Sequence, residues 1–247
     1  MFKKVWRQRR SSATMFGGLV VIVALAGVVA GGAQAAKPGN AQAAKACQKG
    51  GFEDLARSED YSGFSSEEEC VSYAAQGGTL VNLLALCKQQ LADAGLTAPA
   101  NANYILGTLG NDNFTGQLTS GNDVICGFAG NDQILPDGSE AGVLRAGDIF
   151  LGGNGSDYVQ EITGGIFNGG GGNDTVSGMG GGTFNGGDGN DSVWIVFRGT
   201  FNGGDGNESV GFVVFGTFNG GDGCDTVAVD TNQGGTVDLG DQSSCTT

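Results

Sequence analysis

The chain has 247 residues, of which 49 are glycine, 3 are proline and none is histidine, and its 26 acidic and 12 basic residues give a net charge of −14. Glycine does not recur at every third position, which excludes a collagen-like helix, and the lack of imidazole excludes Ser-His-Asp hydrolysis, Cys-His hydrolysis and the H-E-x-x-H zinc site. The acid excess repels nucleic acid and anionic membranes, and it suits hard cations, which take oxygen ligands.

Residues 1–35 are predicted to be a signal peptide. Basic residues cluster at Lys3, Lys4, Arg7, Arg9 and Arg10, an apolar run follows from Met15 to about Ala33, and Ala33-Gln34-Ala35 is a small-x-small cleavage site. An uncleaved membrane anchor is the alternative, because the apolar run is just long enough to span a bilayer. Cleavage predicts a protein that is secreted, extracellular or associated with the cell surface, where calcium is plentiful and disulfides persist. Residues 36–45 are predicted to be a linker.

Residues 46–98 contain little glycine and are predicted to form a small helical module. Ser66-Glu67-Glu68-Glu69 is a capping box that predicts a helix start, with an end near Gly77-Gly78. A second helix is predicted from the apolar face formed by Leu80, Leu83, Leu84, Cys87 and Leu91. This helix is expected to end at Gly95 and Pro99. Two short helices make a poor core, so a disulfide staple is expected.

The six cysteines allow 15 connectivities. Cys47 and Cys70 are the natural pair. The stretch from Cys47 to Gly78 resembles a short uncharacterised module of secreted bacterial proteins in which these two cysteines recur, and the resemblance implies no known chemistry. Pairing of Cys87 with Cys126 would clamp the module to the adjoining glycine-rich region, and pairing of Cys224 with Cys245 would tie down the C-terminal tail. Catalytic use of the thiols is not expected without a histidine partner.

Five glycine-rich segments recur at a constant interval and align without gaps: 152–159, 169–176, 186–193, 203–210 and 220–227. A fixed period predicts that each unit is one turn of a solenoid. A second series has the same spacing and consists of Phe150, Phe167, Phe184, Phe201 and Phe218. We expect these phenylalanines to point inward and to face a second apolar series: Phe114, Ile134, Val159, Val176, Val193, Val210 and Val227.

The segments fit the pattern G-G-x-G-x-D-x-U-x, so the array over 104–233 resembles the RTX, or haemolysin-type calcium-binding, repeat family. The resemblance implies a mainly β fold, a right-handed parallel β-roll (solenoid) of about seven short coils, preceded here by the small disulfide-stapled helical module. In the family two nonapeptides make one coil. The period here is one residue shorter than two nonapeptides, and we interpret it as one full nonapeptide plus a degenerate half that loses its acidic turn. Residues 234–247 are predicted to be a C-terminal cap or tail.

The acidic residues of the motifs are predicted to stack along two edges of the roll. Asp123 and Asp132 end tandem nonapeptide motifs, and Asp148 and Asp157 follow them by one coil plus an insertion from Pro136 to Gly142. The first edge carries Asp112, Asp132, Asp157, Asp174, Asp191, Glu208 and Asp225. The second edge carries Asp123 and Asp148. Strands lie about 4.8 Å apart, so neighbouring carboxylates repel by about 1 kcal/mol in water and about 3.5 kcal/mol at an effective dielectric constant of about 20.

A divalent ion between successive turns would turn this repulsion into attraction, and Ca²⁺ accepts six to eight oxygens in flexible geometry. By resemblance, the acidic residues of both edges bind calcium together with residues at the glycine-rich positions of the turns. That further set is Gly152, Asn154, Gly155, Gly169, Gly171, Gly172, Gly186, Asp188, Gly189, Gly203, Asp205, Gly206, Gly220, Asp222 and Gly223. The alternative for each single motif is an ordinary Asx-turn that needs no metal.

The sequence therefore predicts a secreted, non-enzymatic protein whose turns bind Ca²⁺ between stacked coils and so drive folding. The alternative is a cell-surface structural or adhesive solenoid in which calcium is incidental. Such arrays also occur as tails of secreted proteases and lipases, but only the small module remains here besides the signal and the array, with no His and no G-x-S-x-G. No nucleic-acid partner is expected. An unidentified cell-envelope or surface ligand is possible through Trp194, Phe197, Phe212 and Phe215, which either pack around the shorter half-coil or form an exposed apolar strip.

Overall fold

The computed structural model describes residues 38–136, 142–230, 234–242 and 245. They form a small helical module followed by a parallel β-solenoid of about seven turns, which confirms the predicted fold class. The predicted signal peptide and most of the predicted insertion between Pro136 and Gly142 lie outside the described residues. None of the helices in the described ranges is long and apolar enough to cross a membrane.

The N-terminal module contains three α-helices and a two-stranded antiparallel sheet. Its elements are α1 (Pro38–Ala46), a 3₁₀ turn (Gly51–Asp54), β1 (Leu55–Arg57), α2 (Glu67–Ala75), β2 (Leu80–Asn82) and α3 (Leu83–Asp93). Helix α2 begins where the capping box predicts, since the Ser66 side chain accepts a hydrogen bond from the backbone N–H of Glu69.

Two predictions for the module need correction. Residues 38–46, most of the predicted linker, form helix α1, which packs on α2 and donates from Asn40 Nδ2 to the carbonyl of Ala75 (3.1 Å). The second predicted helix starts at Leu83 rather than Leu80. Residues 80–82 instead pair with β1, and the Asn82 side chain caps α3 by accepting from the N–H of Ala85 (2.7 Å). Long-range strand pairing thus outweighs the helical periodicity of these three residues.

The solenoid is built from two parallel sheets. The eight-stranded sheet contains β3 (Asn103–Leu106), β4 (Asp123–Cys126), β7 (Ile149–Asn154), β9 (Ile166–Gly171), β11 (Thr183–Asp188), β13 (Thr200–Asp205), β15 (Thr217–Asp222) and β17 (Thr236–Asp238). The seven-stranded sheet contains β5 (Gln133–Ile134), β6 (Val143–Leu144), β8 (Tyr158–Ile162), β10 (Thr175–Met179), β12 (Ser192–Val196), β14 (Ser209–Val213) and β16 (Thr226–Asp230). Strand β17 belongs to the segment predicted to be a tail, so that segment extends the sheet.

The core between the sheets consists of apolar columns that run along the solenoid axis. The five predicted phenylalanines are fully buried and stack with ring centroids 4.8 to 5.1 Å apart. The valine column faces them, as predicted, and pairs in register from strand to strand. A third inward column was missed in the sequence: Leu144, Ile162, Met179, Val196 and Val213. Its members from Ile162 onward recur with the period of the glycine-rich segments, and this spacing could have predicted the column.

The helical module packs on the outer face of the eight-stranded sheet. Leu83, Cys87 and Leu91 of α3 share a buried cluster with Val124 and Ile149. Two outward columns of the sheet are apolar under the module and polar beyond it. One runs Tyr104, Val124, Ile149, Ile166, Thr183, Thr200 and Thr217, and the other runs Leu106, Cys126, Leu151, Asn168, Asn185, Asn202 and Asn219. The change of residue type marks where the covered surface ends.

Three disulfides join Cys47 to Cys70, Cys87 to Cys126 and Cys224 to Cys245. These are the pairings that the sequence favours among the connectivities open to six cysteines. The first bond lies within the module, the second ties the module to β4, and the third holds the C-terminal segment against the last turn. Because disulfides persist in oxidising compartments, they indicate a location outside the cytoplasm.

Candidate metal centre

The turns that link the eight-stranded sheet to the seven-stranded sheet carry the G-G-x-G-x-D motif. The glycines at the second and fourth motif positions have positive φ, for example 112° at Gly187 and 132° at Gly189. A Cβ at either position would also collide with a backbone carbonyl oxygen of the preceding turn. These glycines are therefore needed both for their conformation and for the close stacking of turns.

The first glycine of each motif has a different role, which sequence reasoning missed. A Cβ on Gly152, Gly169 or Gly186 would overlap Oδ2 of the aspartate that ends the same motif. The carboxylate folds back over its own turn and occupies the space that a side chain would take. The first glycine thus provides a cradle for the acidic group.

The acidic residues of the first edge lie one above another and form what we call the acidic column: Asp112, Asp132, Asp157, Asp174, Asp191, Glu208 and Asp225. All except Asp112 are buried, with at most 3% exposure. In five of the six steps, Oδ1 of one residue accepts a hydrogen bond from the backbone N–H of the column residue one turn before it, at 2.7 to 2.8 Å. The step from Asp191 to Glu208 has no such bond in the described structure. The longer side chain of Glu208 places its oxygens differently.

The second oxygen of most column residues has no partner. Oδ2 of Asp132, Asp157, Asp174 and Asp191 and both oxygens of Glu208 are buried without a hydrogen bond. Buried polar atoms are normally paired, because an unpaired one keeps its full desolvation penalty. Beside the cradle at Gly152, Gly169 or Gly186, a backbone carbonyl oxygen of the next turn approaches the same point as the unpaired carboxylate oxygen. These converging oxygens are a donor set that suits Ca²⁺.

Burial makes the ionised form of these groups costly. Desolvation raises the pKa of Asp157 and Asp191 to about 6, that of Asp132 to about 7, and those of Asp174 and Glu208 to about 8. Repulsion from neighbouring carboxylates of the column adds to the pKa increase at Asp132, Asp174 and Glu208. A bound divalent cation would offset both effects and keep the carboxylates ionised.

Three other predicted ligands differ, because their Oδ2 atoms already have hydrogen-bond donors. Oδ2 of Asp112 accepts from the N–H and the hydroxyl of Thr108, and Oδ2 of Asp123 accepts likewise from Thr119. Oδ2 of Asp148 accepts from the N–H of Arg145, and its Oδ1 accepts from the N–H of Asp123. Asp123 and Asp148 do form the second edge, as predicted. Metal-free turns account for all three residues, and threonine at the second motif position was the sequence signal at two of them.

The residues at the third and fifth motif positions complete the turn. The side chains of Asp188, Asp205 and Asp222 are exposed at its rim, and their carbonyls accept from the N–H of the fourth-position glycine one turn before, at 2.7 to 2.8 Å. At the fifth position, asparagine side chains accept from the N–H of the next turn, as from Asn190 to Asn173 and from Asn207 to Asn190, each at 2.8 Å. The backbone N–H groups at the fourth and fifth motif positions of these turns are therefore satisfied within the protein.

The described residues contain no group of three or more His, Cys, Asp or Glu side chains that would hold a metal by themselves. An ion in the column must therefore use carbonyl oxygens together with carboxylates of adjacent turns. Comparisons with protein-family models, with curated proteins and with solved structures found no match to this chain. The likeness to the RTX family thus stands on the repeat motif, and on a parallel β-solenoid with a buried acidic column, which is consistent with a β-roll.

Proposed function

We propose that this protein is a secreted, non-enzymatic repeat protein that binds Ca²⁺ between stacked turns and uses the ions to complete its fold. One observation carries the proposal: a row of buried carboxylate oxygens without partners, with carbonyl oxygens of the next turn close to several of them. Each unpaired oxygen is a free ligand, and each buried charge is a cost that a divalent cation removes.

The unpaired oxygens also set an upper limit on the number of ions that one chain can bind. Five column residues carry them, from Asp132 to Glu208. At the C-terminal end, Oδ2 of Asp225 lies 3.5 Å from Nε2 of Gln242, which closes the column. We expect no more than about five ions per chain, with dissociation constants of about 10⁻⁴ to 10⁻³ M, the range of extracellular calcium modules.

Calorimetry and far-ultraviolet circular dichroism of the purified protein test the proposal. Titration with Ca²⁺ should release or absorb heat at the stoichiometry given by the free oxygens and increase the β signal, and chelation should reverse the change. Mg²⁺ is the matched control, because its strict octahedral geometry fits this oxygen set less well. Unchanged β content after chelation, together with no heat of binding, would reject the proposal.

A second candidate is a structural or adhesive solenoid in which calcium is incidental. The two hydrogen-bond ladders of the turns favour it, because they satisfy backbone donors without any metal. The same measurements separate the candidates: a metal-independent scaffold keeps its β signal and its unfolding midpoint in chelator at neutral pH.

A further inference from the structure

The outer face of the seven-stranded sheet carries a shallow groove that crosses β10, β12, β14 and β16. A row of hydroxyl residues follows it from strand to strand in register: Thr175, Ser192, Ser209 and Thr226. Thr175 Oγ1 and Ser192 Oγ share a hydrogen bond of 3.0 Å. Because neighbouring strands lie about 4.8 Å apart, the row offers evenly spaced donors and acceptors along the solenoid axis.

Trp194 lines the same groove and is 65% exposed, the most exposed large hydrophobic side chain of the described residues. Its indole makes an edge contact with the Phe212 ring, with centroids 5.5 Å apart and an interplanar angle of 76°. Gly211 is its neighbour on the next strand, and a Cβ there would come within 3.3 Å of Trp194 Cε3. The indole is therefore held in place beside a residue that has no side chain to cover it. Ordering it on binding costs little entropy.

The groove is uncharged although the chain carries a net charge of −14. None of its lining residues in the described ranges is Asp, Glu, Lys or Arg. An ionic partner finds no counter-charge there, and the overall charge repels nucleic acid and anionic membranes. Hydroxyl side chains both donate and accept, as sugar hydroxyls do, and an exposed indole offers a flat apolar face with a polar edge.

We propose that this groove binds a neutral polysaccharide chain. The glycan lies along the solenoid axis, stacks the C–H face of a sugar ring on Trp194, and exchanges hydrogen bonds with the hydroxyl row. The charge of the surface matches an uncharged polymer, and the length of the row across four strands matches a linear one. Each residue of the hydroxyl row directly follows a residue of the acidic column in the sequence, but none of the row is a proposed calcium ligand. The groove needs the folded solenoid, so calcium is kept in the buffer of the test.

Affinity electrophoresis through gels that contain soluble starch, glucomannan or xyloglucan, and co-sedimentation with cellulose, chitin and insoluble β-1,3-glucan, test the proposal in calcium buffer. Polygalacturonate serves as the acidic control. We expect retention by at least one neutral glycan and none by polygalacturonate. Trp194→Ala should weaken that binding at least about tenfold, because it removes the stacking platform.

Phe215→Ala is the matched control, since this residue is 47% exposed but does not line the groove, and it should bind as the wild type does. Ser209→Glu provides a second test should Trp194→Ala misfold, because it places a charge in the hydroxyl row and should also abolish binding. Circular dichroism verifies the fold of each variant. The proposal is overturned if no neutral glycan is retained, if both folded groove variants bind normally, or if light scattering shows a Trp194-dependent dimer without glycan binding.

Discussion

At the scale of single residues, the structure divides carboxylates of the same motif into two chemical kinds. Asp174 is buried with one oxygen bonded to the N–H of Asp157 and the other free. Asp123 is equally buried, but both of its oxygens accept hydrogen bonds. The first arrangement leaves one buried oxygen unpaired, whereas the second pairs both oxygens.

The two kinds of carboxylate predict opposite responses to amidation. Asp174→Asn keeps the bonded oxygen and removes a costly buried charge, so in chelator its stability should equal or exceed that of the wild type, while the stabilisation by calcium should shrink. Asp123→Asn sets an amide N–H against the donors of Thr119 and should cost about 1–3 kcal/mol with or without calcium. Urea unfolding in Ca²⁺ and in chelator measures both variants. Full stabilisation of Asp174→Asn by calcium contradicts the assignment.

The cradle glycines give a second prediction at this scale. Gly186→Ala places a Cβ against the Asp191 carboxylate and should destabilise the fold by about 1–3 kcal/mol, as overpacking does. Gly178→Ala, in the preceding strand of the chain, is the matched control, because the nearest atom to its Cβ would be 3.9 Å away. Thermal unfolding compares the two. Equal midpoints would mean that the cradle is not required.

At the scale of elements, the repeat period made most of the solenoid predictable. One position per turn fixed the acidic column and the phenylalanine and valine columns, because identical spacing places residues in register. The period could not show that Leu80–Asn82 pair with β1 or that residues 38–46 are helical, since both depend on contacts distant in sequence. It also could not separate carboxylates whose Oδ2 is buried without a partner from those whose Oδ2 already has donors. That difference lies in side-chain partners such as Thr108 and Thr119.

The contribution of the disulfide between the module and the solenoid to stability can be tested by removing it. The Cys87–Cys126 bond closes a separation of 39 residues and lies within the apolar contact between α3 and β4. Replacing both cysteines with alanine should lower the free energy of unfolding by about 2–4 kcal/mol, as the loss of a disulfide commonly does. Calcium stoichiometry should not change, because the column lies outside this contact. A loss of calcium binding in this variant would show that the module takes part in the site.

At the scale of the whole molecule, the module contact, the acidic column and the hydroxyl groove occupy different regions of the solenoid. The module covers the apolar start of the eight-stranded sheet, the acidic column lies buried in the turns, and the hydroxyl groove follows the outside of the seven-stranded sheet. Because one repeat generates the column and the groove, adding turns lengthens both together. The buried carboxylates of the column then make the stability of the whole solenoid depend on pH.

The pH dependence of stability follows from that buried charge. In the unfolded chain the column carboxyls ionise near pH 4, whereas in the metal-free fold the pKa values of five of them lie at about 6 to 8. Between these limits the folded state binds more protons, so the stability in chelator should fall as pH rises from about 4 to about 8. Glu69 does not interfere, since hydrogen bonds from Ser65 and Arg57 lower its pKa to about 2 and its contribution is lost only in stronger acid.

If Ca²⁺ binds as proposed, it requires ionised carboxylates, so its stabilising effect should be small near pH 5 and large near pH 8. Urea midpoints measured across this range, with Ca²⁺ and with chelator, give two curves that should converge in mild acid and diverge in mild alkali. The Asp174→Asn variant should flatten the chelator curve, because it removes one of the groups whose ionisation opposes folding. A chelator curve that rises with pH over the whole range would show that the column is solvated rather than buried, and the electrostatic reason for a cation between the turns would be lost.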